Sequence, residues 1–292
     1  MAESPVTVVF GAATHAGLRR RVNEDSHLAC SPLFLVADGM GGHEAGAAAS
    51  AVVVEEFAEL CGARSLGIHD MRAALDRARR RVHGLIPGEG AAAHRSAGTT
   101  LSGVVIADVG GVGYWLTVNV GDSRTYRFSG GVLEQISVDH SVVQELIDAG
   151  ELDVLSAARD RRRNEITRAI GAGSDGEPDF WLVPAEPGDR ILVCSDGLSG
   201  ELDSERLRRV LAETADPQDA ATRLVHEAMV QGGRDNITVV VVDAVGVLGH
   251  DDVPGDTAPA AVRDEVDGDT HPSRARRQSS ASTVSRGRAS DG

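Results

Sequence analysis

The chain has 292 residues, 41% of them hydrophobic, enough for one large domain or two with a real core. Its formal net charge of −15 argues against nonspecific nucleic-acid binding. All 29 basic residues are arginine, so P-loop, kinase and Schiff-base lysine chemistry is excluded.

From the N-terminus, apolar and alternating runs predict strands over residues 6–12, 27–29 and 33–37. Helices are expected at about 45–60 and 70–85. The first sets Ala48, Ala49, Val52, Val53, Phe57 and Leu60 on one side, a face that packs closely on a sheet. Strands resume over 100–107, 112–120, 125–128 and 132–136, with Gly130-Gly131 as a hairpin signal. Residues 139–164 interrupt this pattern: 140–150 reads as a short amphipathic helix ending at a glycine cap, and a charged stretch follows. This segment is expected to be a flap beside the site. Strands over 165–169, 180–183 and 190–194 lead to helices at about 204–213 and 218–230, whose starts are marked by Asp203-Ser204 and Asp216-Pro217. The last strand is 237–243.

Strands in runs, with helices in two paired blocks, predict an α+β fold. Two mostly antiparallel sheets face to face, each covered by a helix pair, give a four-layer α-β-β-α sandwich. From about Val247 the composition turns to Asp, Pro, Ala, Gly, Ser and Arg. Residues 247–292 are therefore expected to be a disordered tail, acidic and then Arg/Ser-rich, leaving 1–246 as the folded domain.

Cys30, Cys61 and Cys194 show no Cys-x-x-Cys spacing. Neither a disulfide framework nor a zinc site is expected, and a reducing, cytoplasmic compartment is. None has an arginine six residues later, so a Cys-x5-Arg phosphatase loop is absent. No stretch reaches ~18 apolar residues and no signal-peptide pattern is seen, so no membrane span is expected.

Two segments share a layout, an apolar run into an Asp-Gly step: 33–37 leads into Asp38-Gly39, and 191–195 into Asp196-Gly197. In reverse order, Asp235-Asn236 opens the run 237–242, and Glu24-Asp25 adds a fourth acidic pair. A carboxylate at a strand end projects from a rigid scaffold, and glycine lets backbone approach a ligand. One Asp-Gly alone is a turn. Several abutting buried strands, without paired histidines, point to magnesium or manganese rather than zinc. Two such cations about 4 Å apart activate water and neutralise a phosphate. Arg20, four residues before Glu24, suits bidentate binding of phosphate oxygens, although spacing does not choose among Arg19, Arg20 and Arg21. Asp122, in Gly121-Asp122-Ser123-Arg124, reads by itself as a hairpin turn with an internal Asp–Arg pair.

Seven motifs occur in order: Arg20-Arg21-Val22-Asn23-Glu24-Asp25, Val36-Ala37-Asp38-Gly39-Met40-Gly41-Gly42-His43, Gly98-Thr99-Thr100-Leu101, Val120-Gly121-Asp122-Ser123-Arg124, Asp139-His140-Ser141, Cys194-Ser195-Asp196-Gly197-Leu198 and Gly233-Arg234-Asp235-Asn236-Ile237-Thr238. Over about residues 6–245 the chain thereby resembles the metal-dependent type 2C serine/threonine protein phosphatases, the PPM family, in their bacterial form. The resemblance implies hydrolysis of phosphoserine and phosphothreonine in proteins by direct attack of a water or hydroxide bridging two Mn2+ or Mg2+ ions. It assigns Asp38, the Gly39 carbonyl, Asp196 and Asp235 to the two-metal centre, Glu24 to the second metal through water, and Arg20 to the substrate phosphate. Asp122 with Asp196 would form a weaker third metal site, and 139–164 would be the family's mobile flap. The implied partners are phosphorylated proteins made by a Ser/Thr kinase, with no nucleic acid or membrane, and the implied state is a monomer.

Three positions depart from the pattern. Met40 stands where animal members carry a histidine proposed as general acid, although Met is usual in bacterial ones. Ala97 replaces the common Met before Gly-Thr-Thr, and Arg162-Arg163 replaces a frequent His-Pro in the flap. Two competing readings are a catalytically silent phosphoprotein-binding module of the same fold, against which the intact aspartates speak, and a metallophosphatase for small phosphoesters.

Overall fold

The structure is a computed structural model that describes residues 3–41, 44–85, 97–157, 160–173, 176–249 and 260–261. Strands β1 (Val6–His15), β2 (Asp25–Cys30) and β3 (Leu33–Met40) precede helices α1 (Glu44–Ala58) and α2 (Ile68–Gly84). Strands β4 (Gly98–Thr99), β5 (Leu101–Val109), β6 (Val112–Val120), β7 (Arg124–Ser129) and β8 (Val132–Gln135) follow. Short helices α3 (Val142–Asp148) and α4 (Val154–Ala157) lie in the expected flap, before β9 (Ile170–Gly171), β10 (Asp179–Pro184) and β11 (Arg190–Cys194). Then come α5 (Asp196–Ser199), α6 (Ser204–Glu213), α7 (Pro217–Gln231), β12 (Ile237–Val247) and β13 (Ala260–Ala261).

The strands form two antiparallel sheets. One has the order β1-β12-β11-β7-β8, and the other β13-β10-β6-β5-β3-β4-β9, with β2 on β3. The apolar runs are continuous rather than alternating because both faces of each central strand are buried. In β3, Leu33 and Leu35 point to Val53, Phe57, Met71 and Leu75 of α1 and α2. Their neighbours Phe34 and Val36 point to the other sheet, against Val193, Val240 and Val242. β11 and β12 repeat this, with Leu192 and Val241 packed under α6 and α7. Full burial of each such side chain contributes about 1.5–3 kcal/mol. These three cores give the four-layer α-β-β-α sandwich predicted from the sequence. A buried carboxylate ties its sheets together: Asp189 accepts hydrogen bonds from Trp115 Nε1 of β6 (3.0 Å) and Arg127 Nε of β7 (2.9 Å).

Four features differ from expectation. Cys30 and Cys61 form a disulfide, 31 residues apart. Helix α1 packs along β2 and β3, so the loop after it returns to the end of β2, where Gly62 N–H donates to Ser31 O (2.9 Å). This proximity is tertiary and leaves no spacing signature, and the compartment inferred from the cysteines loses its basis. Residues 165–169 do not make a strand. Ile166 forms one isolated bridge to Ser141, which closes the base of the flap, and β9 starts only at Ile170. Asp196-Gly197 opens a helix, α5, with Ser195 as its N-cap residue. Within the segment expected to be a tail, β12 runs to Val247 and β13 pairs with Trp181 and Leu182 of β10, covering what would be an open sheet edge. Residues 250–259 and 262–292 of that tail lie outside the described residues.

Candidate active site

All seven residues singled out from the sequence, Arg20, Glu24, Asp38, Gly39, Asp122, Asp196 and Asp235, line one cleft of about 310 Å³. Met40, Gly41, Thr100 and Asn236 complete its wall, and Asn164 at the end of the flap and Ile166 just after it close one side. The acids come from both sheets. Asp38 lies within β3 of one, whereas Asp196 follows β11 and Asp235 precedes β12 of the other. Asp122 sits where the chain crosses from β6 in one sheet to β7 in the other, so the turn is a crossover and not a hairpin. Arg124 pairs with Asp139 (2.6 Å) rather than with Asp122.

Local packing explains the two Asp-Gly steps. A Cβ on Gly39 would come within 2.3 Å of Gly46 O and 2.5 Å of Glu24 O, so glycine there lets α1 press its first turn onto β3. A Cβ on Gly197 would meet Asn236 O at 1.9 Å, so glycine there lets α5 rest on the loop that carries Asp235. In both cases the close approach is between protein segments, in addition to any ligand.

Hydrogen bonds fix the backbone of each acid. Asp38 N–H donates to Thr100 Oγ1 (3.0 Å), and its carbonyl accepts from Thr100 N–H and Thr99 Oγ1 (both 2.9 Å). Glu24 O accepts from Ser50 Oγ (2.6 Å), and Glu24 N–H donates to Asn236 Oδ1 (2.8 Å). The Asn236 amide also donates to Ala16 O (3.0 Å) and Val22 O (2.9 Å), gripping both ends of the loop that presents Arg20. Arg20 Nη2 reaches Asp235 Oδ2 at 2.6 Å, while Asn236 N–H donates to Asp235 Oδ1 (2.8 Å). Arg20 is thus the arginine of the cleft. Arg19 and Arg21 are exposed beside it.

The electrostatics are those of crowded carboxylates. Asp38 is held well above the usual carboxylate range by burial and then by Asp25, Asp196 and Asp122. Burial pushes Asp122 up to about 8, helped by Asp196 and Asp139, and also raises Asp196, next to Asp235. Asp25 stands directly opposite Asp38 in the β2–β3 register, a like-charged cross-strand pair. Burial pushes it up to about 7 despite hydrogen bonds from Thr238 Oγ1 (2.7 Å) and Ser195 Oγ (2.8 Å) to Oδ2, and its buried Oδ1 has no hydrogen-bond partner.

Sequence reasoning placed Asp25 among the strand-end acids but not in the site, and gave Asn236 no role. The β2–β3 pairing needed to see the first, and the loop contacts that define the second, are tertiary. Among the described residues no three His, Cys, Asp or Glu side chains are gathered closely enough to hold one ion as they stand. The carboxylates line the cleft as separate arms, as mutual repulsion requires. The donor set is all oxygen, and its raised acids and the orphaned Asp25 Oδ1 are what a hard divalent cation would relieve. Burial pushes the Cys194 thiol up to about 12, so it is no nucleophile.

A sandwich with an oxygen-lined, arginine-flanked cleft at the seam of its sheets is the architecture of a metal-dependent phosphatase. Residues 19–231 match the family described as Protein phosphatase 2C, and the chain belongs to that family. It is 38% identical over 248 residues to the serine/threonine protein phosphatase PstP of Mycobacterium tuberculosis, a match covering 84% of this chain and 46% of that protein. The chain thus spans about half the length of that relative. It is 32% identical over 239 residues to the serine/threonine phosphatase stp of Listeria monocytogenes, covering 79% of this chain and 93% of the relative. The solved catalytic domain of PstP in complex with two manganese ions superposes with a TM-score of 0.71 at 34% identity, over 82% of this chain and 99% of that one.

Proposed function

We propose that the chain is a metal-dependent protein phosphatase that hydrolyses phosphoserine and phosphothreonine in proteins. The observation that carries this reading is the meeting, in one cleft, of seven residues from well-separated stretches of sequence. Asp38, the Gly39 carbonyl, Asp196 and Asp235 would hold two Mn2+ or Mg2+ ions, with Glu24 at the second and Asp122 with Asp196 at a weaker third. When bound, such a pair supplies a water nucleophile active at neutral pH and neutralises phosphoryl oxygens.

The chain's own residues do the rest. Arg20 offers five N–H donors, of which only one is committed to Asp235, and the others suit the equatorial phosphoryl oxygens. With a cation bound, Asp235 would hold Arg20 less strongly and leave the guanidinium to the substrate. Asn236 keeps the Arg20 loop and Glu24 in register. Met40, at the cleft wall, has no proton to give the leaving serine or threonine oxygen. His43 lies outside the described residues.

We further read residues 1–246 as the catalytic domain, with a flap at about 139–164, and 247–292 as a tail. The enzyme acts as a monomer in the cytoplasm, where ATP-dependent Ser/Thr kinases make its substrates. Among the described residues no helix is long and apolar enough to cross a membrane. The test is manganese-dependent turnover of a phosphothreonine peptide. Asp38→Asn and Asp235→Asn should abolish it and Arg20→Ala should raise KM; wild-type turnover in either aspartate variant would refute the assignment. Manganese binding by calorimetry without turnover would favour a silent binding module.

A further inference from the structure

The wall of the cleft is anionic, but the loops that supply part of it are rich in arginine. Among the described residues most arginines are consumed by carboxylates, as Arg223 is by Glu213 and Glu227. Among the described residues Arg19, Arg21, Arg80, Arg161, Arg163 and Arg209 enter no ion pair and no side-chain hydrogen bond. Four of these six lie within three residues, in sequence, of residues that line the cleft. Arg19 and Arg21 flank Arg20, and Arg161 and Arg163 lie just before Asn164. All four are exposed, and between the latter two Arg162 is already held by Asp160 (3.0 Å). Glu165, the exposed carboxylate next in the chain, pairs with none of them.

We infer that these free guanidinium groups on the Arg20 loop and the flap form a second anion-binding rim, selecting phosphoprotein segments that carry another anionic group a few residues from the scissile phosphate. The group is a carboxylate or a second phosphoryl. This rests on the phosphatase reading and names its substrate class. An extended peptide advances ~3.3 Å per residue, so a side chain two to four residues from a phosphate in the cleft reaches ~7–13 Å along the surface. Guanidinium groups with no internal partner need break no ion pair to bind such a group, and they hold phosphate bidentately. They also offset the repulsion between a chain of formal charge −15 and an anionic substrate on approach.

The experiment compares kcat/KM, with manganese at saturation, for phosphothreonine peptides with neutral, Glu-rich, second-phosphoserine and Arg-rich flanks. Loss of each phosphate is followed separately by mass spectrometry. The Glu-rich or diphosphorylated peptide should be favoured over the neutral one on the order of tenfold at low salt, and the Arg-rich peptide should be the poorest. The preference should shrink at high salt. The combined Arg19→Ala/Arg21→Ala/Arg161→Ala/Arg163→Ala variant should bring the ratio to about one. Arg80→Ala/Arg209→Ala, which removes free arginines that do not adjoin cleft-lining residues, should leave the ratio as it was. A gain confined to the diphosphorylated peptide identifies the second group as phosphoryl, and one confined to the Glu-rich peptide as carboxylate. Equal turnover of all four peptides by the wild type, or a preference that survives in the fourfold variant, would overturn the inference. An enzyme inert on every phosphopeptide would remove the phosphatase reading, and the inference with it.

Discussion

Replacing Asp122 by asparagine should stabilise the metal-free protein at pH 8 while weakening its response to manganese. Asp122 ionises in the folded chain only at about 8, against 3.8 for an ordinary aspartate, because of burial and then Asp196 and Asp139. A carboxyl raised on folding gives stability that is fully present below pH 4 and is lost as the pH climbs toward 8. The full shift corresponds to roughly 6 kcal/mol. Asp122 keeps part of its surface on the cleft, where solvent screens it, so about 2–3 kcal/mol is the expected gain. At pH 5 the unfolded carboxyl has ionised and the folded one has not, and the gain should fall to about a quarter. Urea unfolding of EDTA-treated wild type and Asp122→Asn at pH 5 and pH 8 measures this difference. Saturating manganese should then stabilise the wild type more than the variant. A variant no more stable than wild type at pH 8 without metal, or a gain equal at both pH values, would refute the electrostatic account.

Three further outcomes follow from the structure. Cys30→Ser opens a disulfide 31 residues long in sequence, and loop-closure entropy puts the loss at about 3.5 kcal/mol, to be read as a lower unfolding midpoint that reductant produces in wild type but not in the variant. Asp189→Ala strands Trp115 Nε1 and Arg127 Nε in the core and should cost about 3–5 kcal/mol by denaturant titration, with Asp189→Asn milder because it can still accept from one of them. His140 receives Gly121 N–H at Nδ1 (3.1 Å), binds Asp179 through Nε2 (3.0 Å) and accepts Thr167 N–H at its carbonyl (2.8 Å). His140→Ala should therefore cost about 1–3 kcal/mol locally and raise hydrogen exchange at Gly121, which loses its ring acceptor, while Thr167 N–H, held by the backbone carbonyl that alanine keeps, stays protected.

What the sequence made legible is what short-range pattern encodes. The continuous runs at 33–37 and 191–194 announce strands buried on both faces, and those strands lie in the interior of the two sheets. The Asp-Pro step at 216–217 marks the N-terminus of α7, where Asp216 accepts from Gln218 and Asp219 N–H. The short β4 was not legible, because two residues carry no period; it exists through pairing with β3 and β9. Nor was the choice among Arg19, Arg20 and Arg21, which depends on where Asn236 clamps the loop ends. The disulfide failed for the same reason in another form: Cys30 and Cys61 meet only after α1 has docked.

The two Asp-Gly steps show why similar motifs need not have similar mechanics. Asp38 is embedded in a strand, locked by Thr99 and Thr100 and facing Asp25 across the ladder, so it cannot retreat from its neighbours' charge. Asp196 begins a helix, where the partial positive charge of the N-terminus favours its ionised form. Burial raises both acids, Asp38 more strongly. Each belongs to a different sheet, so what brings them together is the packing of Phe34 and Val36 against Val193 and Val240 in the layer between. That packing holds like charges at the seam at a cost to stability, which a divalent cation bound there would offset. Metal affinity should therefore follow the integrity of the inter-sheet core as well as the carboxylates themselves.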